Sequence, residues 1–165
     1  MRKRGEAVGY DAHKKIKGTK VHTVATKESI PVAVEIGPGD QHEGKELIAL
    51  MESIRIEHPK GKRGRPRKRP KRVYADNKYG MHINRLYLDG KRVSAHIPSR
   101  SKKRNRGRPR IFDKAGYKKV RSMIERSFGW MKNFRKINIR YERLAVTFLG
   151  LIHLASITIL WRVLK

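Results

Sequence analysis

Apolar and polar positions alternate near the start of the chain. Thr19–Thr26 places Val21 and Val24 among polar residues, and Pro31–Ile36 reads Pro-Val-Ala-Val-Glu-Ile. Two such runs joined by Lys27-Glu28-Ser29 predict a β-hairpin. Gly37-Pro-Gly-Asp40 then reverses the chain, and Asp40 with Glu43 has the spacing of a capping box, so a helix should follow. Leu47, Ile48, Leu50, Met51 and Ile54 would share its inner face. A short strand, Arg72–Ala75, ends at Asp76. Gly80–Asp89 predicts a helix closed by Gly90, with Ile83 and Leu86 turned inward. Val93–Ile97 is a further short strand. Tyr117–Lys136 has strong helical periodicity, and Leu144–Trp161 is a long apolar helix. Hairpin, helix, strand, helix, strand and helix in this order predict an α/β fold, a mixed sheet flanked by helices.

Two stretches interrupt this pattern. Residues 60–72 hold nine Lys or Arg and no acid, and residues 100–110 hold seven. Like charges at that density stay in water, so both read as exposed basic linkers. The 165 residues suit one domain, and Leu, Ile, Val and Phe make up about a quarter of them, enough for a core. The formal net charge is +28. Such a surplus opposes compaction unless a polyanion neutralises it, which points to nucleic acid. With no cysteine, disulfides and thiolate metal sites are excluded, as suits a reducing cytoplasm. The basic start Met1-Arg-Lys-Arg-Gly5 lacks an apolar run behind it and does not read as a secretory signal.

Candidate chemistry lies on two elements. At about 100° per residue, Arg121, Lys132 and Glu125 fall within about 40° of one another. Val120, Met123, Ile124, Phe128, Met131 and Phe134 fall roughly between 200° and 340° from Arg121, the core-facing sector, so Glu125 lies close to its edge. Glu125 so placed could hold a metal or approach a phosphate, with Arg121 and Lys132 on the DNA backbone beside it. It could equally be a surface glutamate with helical ion-pair partners. Asp76 ends a strand, where open α/β sheets place their sites, but a turn or cap aspartate looks the same.

The two segments resemble motifs of insertion-sequence DDE transposases. Val73-Tyr-Ala-Asp-Asn-Lys-Tyr-Gly80 is similar to the family's second-aspartate motif, and Arg121-Ser-Met-Ile-Glu-Arg-Ser-Phe-Gly-Trp-Met-Lys132 to its glutamate motif. The spacings of Arg121, Glu125 and Lys132 agree, while Tyr117 stands one residue too far from Arg121. Phe134–Arg143 and Gly9–His22 are also typical of the family. The resemblance implies a ribonuclease H-like fold in which three acids hold two divalent ions, Mg²⁺ or Mn²⁺. Asp76 and Glu125 would be two of those ligands, and the substrates would be transposon-end and target DNA. It also implies a cytoplasmic, nucleoid-associated protein outside the membrane, acting as a homodimer.

One departure stands out. The family's first aspartate precedes the Gly-Tyr-Asp stretch, but the eight residues before Gly9 contain Glu6 and no aspartate. Asp11, inside that stretch, reads as a loop residue. The expectation is therefore a partial catalytic domain over residues 1–165, without its first strand and first metal ligand, and inactive or weak by itself. The alternative is a non-catalytic, basic nucleic-acid-binding protein. Arg63-Gly-Arg-Pro-Arg67 recurs as Arg106-Gly-Arg-Pro-Arg110. Both resemble AT-hook cores, whose arginines would enter a narrow minor groove, and both also suit plain phosphate contacts. His22 and His42 could approach the site or serve as ordinary satisfied histidines, and Trp130 reads as core or as a stacking side chain.

Overall fold

A computed structural model of the chain describes residues 5–12, 14–55, 69–99 and 110–165. The chain divides into two compact units, Met1–Gln41 with Ser122–Lys165, and His42–Arg121. The strands form a three-stranded antiparallel sheet in the first unit and a two-stranded parallel sheet in the second. Both ladder types of the expected α/β class are therefore present.

In the first unit β1 (Gly9–Asp11), β2 (Ile16–Ala25) and β3 (Pro31–Pro38) form an up-and-down sheet. The hairpin register runs from Thr19 opposite Pro38 to Ala25 opposite Pro31. Its turn closes through the Ser29 amide on the Thr26 carbonyl and the Thr26 amide on the Ile30 carbonyl. Ser29 takes a left-handed backbone, φ 67. Asp11 corrects the loop expectation, because it pairs with Ile16 at the end of β1. Its carboxylate accepts the Lys14 amide and so shapes the turn into β2. Gly9 and Gly39 are required by close approach: a Cβ on Gly9 would collide with Asp40, and one on Gly39 with the Gly9 carbonyl.

Three helical segments belong wholly or partly to this unit. They are the end of α3 (Lys114–Lys132), α4 (Arg135–Asn138) and α5 (Ala145–Leu164). The long helix expected to reach Lys136 stops four residues earlier, and α4 begins after Phe134. Val34 of β3, Met131 of α3, and Phe148, Ile152 and Ile159 of α5 form the core, with Val21, Ile36, Phe128 and Trp130 packed against it. Trp130 is therefore part of the packing. The start of α5 is capped from far away. Glu6 accepts the Ala145 amide on its carboxylate, and its own amide donates to the Arg143 carbonyl. Arg140 donates to Thr19 Oγ1 and to the Glu142 and Arg143 carbonyls, and its guanidinium stacks on Phe148 at 4.9 Å. By length and composition α5 is also the one helix among the described residues able to cross a bilayer.

The second unit holds a 3-10 turn (Glu43–Glu46), α1 (Leu47–Glu52), β4 (Arg72–Tyr74), a 3-10 turn (Asn77–Tyr79), α2 (His82–Gly90), β5 (Ser94–His96) and the first part of α3. β4 and β5 pair in parallel, Val73 opposite Ala95, and α2 makes the crossover that a parallel pair requires. Leu47, Leu50, Met51 and Ile54 are buried as the periodicity predicts. The cap before them differs from expectation. His42, not Asp40, accepts the Gly44 amide, on its Nδ1.

The inner face of α2 also differs. Ile83 and Leu86 are more than half exposed, whereas Asn84 and Leu88 are fully buried. The cause is a hydrogen-bond requirement. The Asn84 amide donates to the Gly44 carbonyl at 2.7 Å, a buried bond, and to the Tyr79 carbonyl at 3.0 Å, a part-buried one. Gly90 ends the helix without a left-handed backbone. That role falls to Arg92, φ 54, while the Val93 amide returns to the Leu88 carbonyl.

Candidate metal centre and nucleic-acid interface

Asp76 follows β4 and caps the 3-10 turn Asn77–Tyr79. Its carboxylate accepts the Asn77 amide at 2.6 Å, and its carbonyl accepts the Tyr79 amide at 3.0 Å. The side chain is exposed. The strand-end and cap readings are therefore compatible at this residue. Below it, burial first, then the charges of Glu43, Asp76 and Glu46, push the Tyr79 hydroxyl up to about 12. Lys78 pairs with Glu43 at 2.7 Å.

A second cluster supports the strand that carries Asp76. Tyr74 donates to an Asp113 carboxylate oxygen at 2.8 Å, and the other oxygen accepts the Gly116 amide at 2.8 Å, capping α3. The Asp113 amide donates to His96 Nδ1 at 3.1 Å, and the His96 ring stacks on Tyr74 with centroids 4.7 Å apart. The Gly116 and Tyr74 bonds hold the Asp113 carboxyl below its usual range, and the Asp113 bond raises the Tyr74 hydroxyl. Sequence reading passed over this group. The available signal was Asp113, which stands three residues before Gly116 and just ahead of a helical pattern.

Glu125 and Lys132 lie on the part of α3 in the first unit and Arg121 ends the part in the second, and all three are exposed. The core-facing sector of the helix carries the buried Met131 and the half-buried Met123, Ile124 and Phe128, as the periodicity predicts, together with the buried Ser127. Arg121 and Glu125 both have interaction partners within the protein. Asp76 belongs to the second unit. Among the described residues no group of three or more His, Asp or Glu side chains is assembled to hold a metal ion. His22 is a buried strand residue, and His42 is the cap already described.

Of the arginines in the basic stretches, Arg63, Arg65, Arg67, Arg106 and Arg108 lie outside the described residues. Arg110 forks onto Asp89 with bonds of 2.8 and 3.2 Å, which hold the Asp89 carboxyl below its usual range and raise the Arg110 guanidinium. Arg69 donates to the Lys91 carbonyl.

Comparison with known proteins gives two matches of sequence and none of structure. A family model described as the transposase DDE domain matches residues 1–160. A Burkholderia cepacia protein, whose name assigns it as transposase for insertion sequence element IS402, is 28% identical over 148 residues. The aligned part is 90% of this chain and 65% of that relative, so the chain spans just under two thirds of the relative's length. No solved structure matches.

Proposed function

The chain belongs to the transposase DDE-domain family, and from that premise we propose that it forms part of the catalytic domain of an insertion-sequence transposase. Its mixed α/β architecture agrees with the ribonuclease H-like fold of that family. The observation that carries the reading is the joint presence of Asp76, Arg121, Glu125 and Lys132 in the family's order, the last three at family spacing, within the matched residues.

Asp76 and Glu125 are the proposed metal ligands. Both are exposed carboxylates, and hard anionic oxygens are the donors that Mg²⁺ or Mn²⁺ takes. When bound, a pair of divalent ions supplies positive charge at the attacking and leaving oxygens of an in-line displacement at phosphorus. The chain's own residues do the positioning. The Asn77 amide holds the Asp76 carboxylate at the strand end, and Asn84 holds the Tyr79 end of that turn. Glu125 rides a 19-residue helix that cannot bend easily. Arg121 and Lys132 flank it and neutralise adjacent phosphates. Arg63, Arg65, Arg67, Arg106, Arg108 and Arg110 add contacts to the DNA backbone or its minor groove. Asp89 competes with DNA for Arg110.

These residues supply two of the three acids the chemistry needs. The proposal is therefore that residues 1–165 alone bind DNA and nick it weakly or not at all, and that a strand bearing an aspartate completes the site. With that strand joined to the chain, Mg²⁺-dependent nicking of supercoiled DNA should appear. Asp76→Ala and Glu125→Ala should each abolish it. Nicking that survives both substitutions rejects the assignment.

The net charge of +28 supports a second reading, a non-catalytic protein that coats nucleic acid. Under it the completed chain would still bind DNA, and neither carboxylate would matter to any Mg²⁺-dependent step.

A further inference from the structure

The strand that ends before Asp76 is short and weakly held by its own ladder. β4 and β5 pair over three residues each, and the next bond, from the Ala75 amide to the His96 carbonyl, is 3.5 Å long, at the limit of a hydrogen bond. A strand pair this small does not fix its own end. Side chains supply the missing restraint. The His96 ring, 4% exposed, stacks on Tyr74 with centroids 4.7 Å and planes 20° apart, which aims the Tyr74 hydroxyl. That hydroxyl donates to Asp113 at 2.8 Å, and the Asp113 amide donates to His96 Nδ1 at 3.1 Å. Three contacts thus close a ring through β4, β5 and the residue just before α3. All of these residues lie in the second unit.

Two other uses of the cluster do not fit. Ser94 Oγ and His96 Nε2 stand 3.2 Å apart with an aspartate nearby, the residue types of a hydrolytic triad. But Nδ1 accepts an amide hydrogen, so Nε2 carries the ring hydrogen and cannot take one from Ser94. A plain helix cap is the second use. A cap needs one carboxylate oxygen, which the Gly116 amide occupies, and the other oxygen is held by Tyr74. Gly116 tells the same story. Glycine is a poor helix residue, and no left-handed backbone calls for it at this position. A Cβ there would strike the Asp113 carboxylate and stand 2.8 Å from the Tyr74 hydroxyl oxygen. The side chain is missing where the bond between Tyr74 and Asp113 fills the space.

We propose that Asp113 is a positioning residue for Asp76: through Tyr74 it holds the end of β4 against the start of α3, and so presents the Asp76 carboxylate to a divalent ion. This role rests on the reading of Asp76 as a metal ligand. Tyr74 is the last residue of β4 and stands two residues before Asp76. A carboxylate offered from a fixed strand end has little freedom left to lose when an ion binds. Groups that hold a ligand in place without touching the metal govern affinity in this way. Asp113 itself stays off the ion, because both of its carboxylate oxygens are engaged.

Two variants test it. Tyr74→Phe removes the hydroxyl and leaves both the ring and the Asp113 cap. Gly116→Ala raises helix propensity while displacing the carboxylate from Tyr74. In the 165-residue chain, amide hydrogen exchange at Tyr79 and Gly80, whose bonds close the turn after Asp76, should quicken about tenfold in each variant. Amides of β2 and β3, in the other unit, should exchange as in the parent. In the chain joined to the aspartate-bearing strand, the dissociation constant of Mn²⁺ alone, read by electron paramagnetic resonance, should rise at least about tenfold. The double variant should be no worse than either single one, since both remove the same bond. A capping role alone makes Tyr74→Phe silent and Gly116→Ala stabilising. Unchanged exchange at Tyr79 and Gly80, or Mn²⁺ binding equal to the parent's, would overturn the proposal. Mn²⁺ binding indifferent to Asp76→Ala would reject the metal reading itself, and this role with it, through a variant that leaves the bond between Tyr74 and Asp113 intact.

Discussion

Replacing Asn84 by leucine isolates what positions the turn after Asp76. Asn84 is 1% exposed, and its amide satisfies the Gly44 and Tyr79 carbonyls. Leucine fills a similar volume but donates nothing. Each carbonyl loses a hydrogen bond of about 1 kcal/mol net, and buried acceptors without partners cost about 1–3 kcal/mol each. Partial rescue by water at the half-buried Tyr79 end brings the total to about 2–4 kcal/mol. For a chain of this length that corresponds to a fall in Tm of roughly 5–12 °C. Ile83→Ala, on the same helix, is the control: Ile83 is 58% exposed, so its truncation should cost under about 1 kcal/mol. Urea titration followed by far-UV circular dichroism measures both. The consequence for chemistry is also specific. With its Tyr79 end released, the turn that Asp76 caps should fray, and divalent-ion affinity should fall together with stability. If Asn84→Leu is neutral, or if Ile83→Ala costs as much, then the two amide bonds do not hold this turn.

Other expectations follow from the charged groups. The Asp89 carboxyl lies below its ordinary range, chiefly through its bond to Arg110, so its contribution is present above the unfolded-state value of about 4 and is lost as the pH falls through the lower folded-state value. Because the pair is half exposed, Asp89→Asn should flatten the acid limb of the stability profile by only a few tenths of a kcal/mol. The Tyr79 hydroxyl, pushed up to about 12 mainly by burial, should titrate late in an ultraviolet absorbance titration together with Tyr87, which burial and the bond to Glu52 also push up to about 12, and Tyr79→Phe should remove one of the two late steps. Arg121→Ala and Lys132→Ala should weaken DNA binding about equally on all sequences, and each should lower the slope of log affinity against log salt by about one unit. A sequence-dependent loss would mean that these side chains read bases.

Much of the fold is legible where the pattern is local. The alternation around Val21 and Val24, broken at Lys27-Glu28-Ser29, places the hairpin because a period of two fits only a strand. The Leu47–Ile54 face and the long helices follow from the same reasoning. What escapes is set by partners distant in sequence. Glu6 caps a helix 139 residues away, Asn84 serves a carbonyl 40 residues before it, and Asp113 braces Tyr74 across 39 residues. None of these contacts leaves a periodic trace. Ile83 and Leu86 were expected inside because apolar residues usually are, yet two carbonyls needed an amide more than the core needed methyl groups. His42, not Asp40, is the cap because the 3-10 turn starts at Glu43, directly after it, and its Nδ1 is placed to accept the Gly44 amide. At the candidate site, the residue types and spacings were readable, and Asp76, Arg121, Glu125 and Lys132 are exposed, a setting shared by catalytic and ordinary surface residues. The proposed convergence of the two carboxylates is a matter of tertiary arrangement, which spacing along a chain does not encode.

The most direct test of the account replaces Mg²⁺ with Fe²⁺ and adds hydrogen peroxide, with ascorbate to return the iron to Fe²⁺, so that hydroxyl radicals released at the ion cut the nearest backbone. Fragment masses from the chain joined to the aspartate-bearing strand should then map to cuts beside Asp76 and beside Glu125, both suppressed by excess Mg²⁺ and both lost in either Asp76→Asn or Glu125→Gln. Cutting beside only one of them, or a cut at one that is indifferent to substitution of the other, would contradict a shared ion.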